Sequence, residues 1–123
     1  MNDQTLLLRQ VHPSFLQDGR ITSQVFRPTP KDGACLSAYD GDQITPEAAW
    51  KHYTQDPACS SVGVMAVTQG QCVDLQISVT ADGDPFPEHV SIDYSAFSKS
   101  EIEKKAKVLK GCAQSRGWLY QAQ

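Results

Sequence analysis

The sequence predicts an α+β fold: a largely antiparallel sheet of about five to six strands with two helices packed on one face. Three observations lead there. Val73 to Thr80 (VDLQISVT) and His89 to Tyr94 (HVSIDY) alternate between apolar and polar residues, the two-residue period of a half-buried strand. From Ser98 onward the chain opens with a helix-capping pattern and then repeats its apolar residues at helical spacing. Finally, two helices are too few to cross over between all of these strands, so hairpin-like antiparallel connections dominate.

The first segment, Thr5 to Val11 (TLLLRQV), reads as a strand closed by His12-Pro13, because proline removes a backbone donor and biases its predecessor towards extended geometry. Gly19 marks a turn, and Arg20 to Phe26 (RITSQVF) is β-branched but alternates poorly, so a short, irregular strand is expected. Arg27 to Gly33 carries two prolines and Lys-Asp-Gly, a loop signature. Ala34 to Tyr39 (ACLSAY) is the next strand and Asp40-Gly41-Asp42 its turn. Thr45-Pro46-Glu47 starts a helix: Thr caps, Pro suits the first position and Glu complements the positive dipole end. That helix ends before Pro57 and places Ala49, Trp50 and Tyr53 against a sheet.

Ser61 to Thr68 (SVGVMAVT) is apolar on both alternations and so reads as a central strand. Thr68 to Cys72 reads as a turn before the strand at 73–80, and Ala81 to Glu88 (ADGDPFPE) as an exposed loop. In the strand that follows, Val90, Ile92 and Tyr94 point one way and His89, Ser91 and Asp93 the other. Ser98-Lys99-Ser100-Glu101 is a capping box, and Ile102, Ala106, Leu109 and Ala113 form the apolar stripe of a long helix. Gly117 stops it, and Trp118-Leu119-Tyr120 folds back onto the core.

No repeat or composition break interrupts the chain, which reads as a single domain spanning 1–123. Apolar residues at 40% and charged residues at 20% describe a soluble globule, and the net charge of −3 speaks against wholesale polyanion binding. The longest apolar run, Val62 to Val67, is far short of a membrane span, and MNDQTLLLRQ is not a secretory signal, so a cytoplasmic location and no membrane partner are expected. Cys35, Cys59, Cys72 and Cys112 form no C-x-x-C and read as free thiols of a reducing compartment. No zinc set, phosphate-cradling Gly-rich loop or nucleophile elbow is present, so neither a metal nor a cofactor is expected. The two Asp-Gly-Asp sequences read as turns rather than cation loops.

Two elements carry candidate chemistry, His12-Pro13-Ser14 and His89-Val90-Ser91. They resemble the paired H-x-[Ser/Thr] motifs of the 2H phosphoesterase family. That resemblance implies His12 and His89 as an acid/base pair, with Ser14 and Ser91 binding phosphate. Arg9, Thr22-Ser23 and Glu101-Ile102-Glu103 are similar in outline to the Arg, Ser-Thr-Ser and Glu-x-Glu elements of ADP-ribosyltransferases. Arg20, Arg27 and Lys31 make the opening loop weakly basic; Asp93, beside Ser91, is a further candidate binding residue. Lys99, Lys107 and Lys110 share one flank of the long helix, and an anionic partner fits if the loop docks beside it.

The leading expectation is a small protein-interaction module, a non-enzymatic accessory, inhibitor or immunity-type partner of another protein, as suits a bacterial protein of this size. It rests on a well-formed core carrying two long, polar, Pro-bearing loops. The alternative is a small phosphoesterase- or nucleotide-processing-like enzyme using His12 and His89. An anionic small molecule or nucleic acid is the further class of partner.

Overall fold

The computed structural model describes residues 1–29 and 33–122. It contains an antiparallel sheet of six strands in the order β6-β7-β4-β1-β5-β8, with a two-stranded ribbon beside it. The strands of the sheet are β1 (Leu6–Gln10), β4 (Cys35–Asp40), β5 (Gly63–Thr68), β6 (Ser78–Thr80), β7 (His89–Asp93) and β8 (Tyr120–Gln121). The α+β class and the antiparallel sheet are as the sequence predicts.

The two predicted helices do not share a face, however. The long helix α3 (Lys99–Arg116) buries Ala106, Leu109 and Ala113 against Leu7, Met65, Val67, Val90 and Ile92. The earlier helix α1 (Pro46–Thr54) buries Ala49 on the opposite face, with Leu8, Tyr39, Val64 and Ala66. The reason is written in β1 and β5: Leu7 and Leu8, or Met65 and Ala66, are consecutive buried residues, so both faces need a cover. Each helix start is as expected, with Thr45 accepting from the Ala48 N–H and a reciprocal Ser98–Glu101 capping box.

Residues 69–74 differ from expectation. They form a short helix, α2 (Gln69–Asp74), whose capping box joins the Thr68 hydroxyl to the Gln71 N–H and the Gln71 side chain to the Thr68 N–H. The apparent alternation from Val73 is therefore only partly a strand, and β6 shrinks to Ser78–Thr80. Residues 16–21 also differ. Leu16–Gln17 (β2) and Arg20–Ile21 (β3) make a hairpin around Asp18-Gly19, both with positive φ, the conformation that Asp-Gly favours in a two-residue turn. Ser23–Phe26 is a 3-10 turn rather than strand; it buries Val25 and Phe26 and packs on α3. Tyr94, fully buried, donates from its hydroxyl to the Phe26 carbonyl at 2.8 Å and ties this excursion to the sheet.

At the C-terminus, Gly117 with φ +89° ends α3, and β8 then pairs with the edge of β5. All four cysteines are free. No helix among the described residues is long and apolar enough to cross a membrane.

Candidate functional site

The centre of the sheet opens. β1 and β4 pair only at Leu7–Asp40 and Leu8–Tyr39, whereas β1 continues along β5 to Gln10 and β4 continues along β7 to Cys35. Arg9 fills the fork between them, its Nε donating to the Val25 carbonyl at 2.8 Å and its Nη1 to the Ser37 carbonyl at 2.6 Å. The N–H and C=O of one strand residue point to the same side, so the Ser37 amide also faces this opening. A cleft of about 550 Å³ lies over the fork. One wall is the 3-10 turn Pro13–Phe15 together with Arg27 and Thr29; the other is α1, through Tyr53, and the loop at Pro85 and Phe86. The floor carries Gln10, Ser37, Tyr39 and His89. Among the described lining residues are two arginines and two histidines but no carboxylate, so a chain of net charge −3 presents a cationic cleft.

His89 is 7% exposed, and each ring nitrogen has one partner. Nδ1 lies 2.5 Å from Asp82 Oδ1, and Nε2 lies 3.0 Å from Ser37 Oγ. Asp82 is an acceptor when ionised, so Nδ1 carries a proton; in the neutral ring Nε2 is then bare and accepts from the Ser37 hydroxyl. The His89 hydrogen bond holds the Asp82 carboxyl below its ordinary range. The three groups come from separate elements: Ser37 from the open edge of β4, His89 from the start of β7, and Asp82 from the loop before it. Phe86 fixes the arrangement from above, stacked on Tyr39 at 4.8 Å and meeting the His52 and His89 rings edge-on at 4.8 and 5.2 Å. Tyr39 joins its hydroxyl to His52 Nδ1 at 2.9 Å, and burial pushes that phenol up to about 12.

His12 has the opposite polarity. Its Nδ1 accepts the Ser14 backbone N–H at 3.0 Å and lies 2.7 Å from Ser14 Oγ. A nitrogen that accepts an N–H has no proton of its own, so the neutral ring carries its proton on Nε2 and is a donor there.

Of the residues singled out from sequence, His12, Ser14, Arg27 and His89 all line this one cleft. Ser91 and Asp93 lie on the same sheet face but not in the cleft. Ser91 stands opposite Ser37 in register, and the Asp93 carboxyl is held below its ordinary range by the Ser95 hydroxyl first and then by the Ser95 N–H, which it accepts at 2.7 Å. Arg20 is elsewhere: with Lys107 and Lys110 it lines a separate hollow, so the opening loop does dock on the lysine flank of α3. Lys99 borders a third hollow with Ile102 and Glu103. Lys31 lies outside the described residues. Glu101 is engaged in the α3 cap, so the Glu-x-Glu element is helical and outside the cleft. Among the described residues, no three His, Cys, Asp or Glu side chains gather as a metal site.

Sequence reasoning missed Ser37, Asp82 and Gln10. The outward position of Ser37 was legible in the alternation of ACLSAY, but its proximity to His89 depends on β4–β7 register. Asp82 was absorbed into an Asp-Gly-Asp turn. Comparison with protein-family models, with curated proteins and with solved structures finds no match.

Proposed function

We propose that this chain is a small phosphoesterase- or nucleotide-processing-like enzyme that acts on an anionic, phosphate-bearing substrate in the cleft over the sheet fork. The observation that carries the reading is the Asp82–His89–Ser37 hydrogen-bond chain, which ends at a hydroxyl in a cationic cleft. His89 Nε2 takes the Ser37 proton as Ser37 Oγ bonds to phosphorus and the ester P–O bond breaks. The resulting imidazolium, stabilised by ionised Asp82, passes that proton to the departing oxygen. Water then reverses the sequence: His89 removes its proton, hydroxide displaces the serine oxygen from phosphorus, and the proton returns to Ser37.

His12 and His89 thus share the site without dividing acid and base between them. The Nε2–H of His12 and the Arg27 guanidinium bind the phosphoryl oxygens, and the Ser37 N–H faces the same charge. Four free thiols suit a reducing compartment, the cytosol.

Turnover of a p-nitrophenyl phosphomonoester and phosphodiester panel tests this. His89→Gln should lower kcat by about 10³-fold or more, whereas His12→Gln should act mainly through KM, each with its melting temperature retained. Wild-type turnover unchanged by His89→Gln refutes the mechanism.

A second reading, the non-enzymatic interaction module, has one observation in its favour. Val73 on α2 and Val108 on α3 are 50% and 49% exposed, on helices that touch. A host protein that co-purifies with the wild-type chain but not with a Val73→Glu, Val108→Glu variant would support it. Identical recovery with both forms would remove it.

A further inference from the structure

Gln10, like Ser37, is a residue of the cleft that sequence reasoning passed over. It is 8% exposed, and neither its Nε2 nor its Oε1 has a hydrogen-bond partner among the described residues. A buried amide left without partners is costly, and native proteins leave few of them. Gln10 lies on the sheet face that carries Leu8 and Tyr39, where it lines the cleft beside Ser37.

The two unpaired atoms define what would satisfy them. Phosphate or carboxylate oxygens accept only, so an anion alone occupies Nε2 and leaves Oε1 unpaired. A planar edge with an adjacent donor and acceptor occupies both, as a glutamine amide does against adenine. The rest of the cleft supplies the other halves of such a molecule. Tyr53 and Phe86, both only partly buried, offer ring faces for stacking. Arg27, whose buried Nε has no partner among the described residues, and His12 offer donors to an anion. A cleft of about 550 Å³ is of small-ligand size.

We infer that Gln10 is a specificity-determining residue that reads the edge of a nucleobase, so that the substrate is a nucleoside phosphate. This rests on the reading of the cleft as a phosphate-ester site and adds the substrate class.

The test is equilibrium binding of AMP, GMP, CMP, UMP and ribose 5-phosphate to wild type, to Gln10→Met and to Arg27→Met. At least one nucleotide should bind wild type ten-fold or more tighter than ribose 5-phosphate. Gln10→Met, similar in volume, should erase that advantage while leaving ribose 5-phosphate affinity and the melting temperature unchanged. Arg27→Met should weaken every phosphate alike. If wild type and Gln10→Met bind nucleotides and ribose 5-phosphate equally, the role of Gln10 is wrong although the phosphate site stands. If nothing binds wild type, the phosphate-site reading fails together with the inference. A Gln10→Met chain that melts well below wild type would show a structural amide and also overturn it.

Discussion

Asp82→Asn separates geometry from chemistry, because its effect on His89 is visible without knowing the substrate. In the structure, Asp82 Oδ1 receives the Nδ1 proton at 2.5 Å and Ser37 Oγ meets Nε2 at 3.0 Å. Backbone N–H groups of Asp82 and Asp84 also bond the Asp82 carboxyl, and an asparagine that keeps its oxygen on them turns its NH₂ donor towards Nδ1. The ring proton then moves to Nε2, and the nitrogen facing Ser37 becomes a donor instead of a base. Loss of the base through the wrong tautomer costs about 10³–10⁴-fold in kcat, the range for such a change in a serine–histidine–carboxylate site. The stability cost is far smaller. Asp82 is 37% exposed, so solvent screening reduces its charge-assisted bond to about 1 kcal/mol and the fall in Tm to about 3–5 °C.

Because the folded Asp82 pKa is depressed, that increment is present above the unfolded carboxyl pKa and lost as pH falls through the folded value. The difference between wild type and variant should therefore close in acid, below about pH 4. Long-range ¹⁵N–¹H correlation of the histidine rings is the assay. The reasoning predicts an Nδ1–H tautomer for His89 in wild type and Nε2–H in Asp82→Asn. An Nε2–H ring in wild type, or identical spectra for both proteins, refutes it.

Other expectations concern the frame that holds the site. Tyr94→Phe removes the 2.8 Å bond to the Phe26 carbonyl and should cost about 1–3 kcal/mol in urea unfolding, with faster amide exchange around Phe26. Gly63→Ala puts a methyl group onto the Tyr120 carbonyl and within 2.9 Å of the Trp118 ring, so β8 must lift from β5. Red-shifted Trp118 fluorescence and a loss of about 1–3 kcal/mol should report it, and an unchanged spectrum would contradict the packing. Burial pushes the Cys72 thiol up to about 12. A thiol-reactive dye at pH 8 should leave Cys72 unmodified in the folded chain and label it on unfolding, as peptide mapping would show.

The frame was readable where one residue type dictates one local geometry. Pro13 ended a strand, Thr45 and Ser98 capped helices, and the Ile102–Ala113 stripe predicted the buried side of α3. It was misread where a local pattern competed with another: the period of VDLQISVT concealed the Thr68–Gln71 cap, and β-branched RITSQVF concealed the Asp18-Gly19 hairpin. The site was half legible. His12 and His89 stand out as rare, titratable residues beside hydroxyls, and strand alternation placed His89 away from the α3 core. What links them is non-local: β1 and β4 part beyond Leu8 and Tyr39, and Arg9 bonds the Ser37 carbonyl at the fork. Ser37 reaches His89 across a 52-residue separation that only strand register determines. Periodicity shows which face a side chain takes, not which strand lies beside it.

The central claim is that His89 and Asp82 activate the Ser37 hydroxyl. Reaction with a fluorophosphonate probe followed by peptide mass spectrometry tests it most directly, since such probes capture a serine only when a neighbouring base raises its nucleophilicity. The account predicts a single covalent adduct on Ser37, lost in Ser37→Ala and His89→Gln chains that fold normally, and competed by phosphate esters. An unlabelled wild-type chain, or Ser37 labelling that persists in His89→Gln, would contradict it.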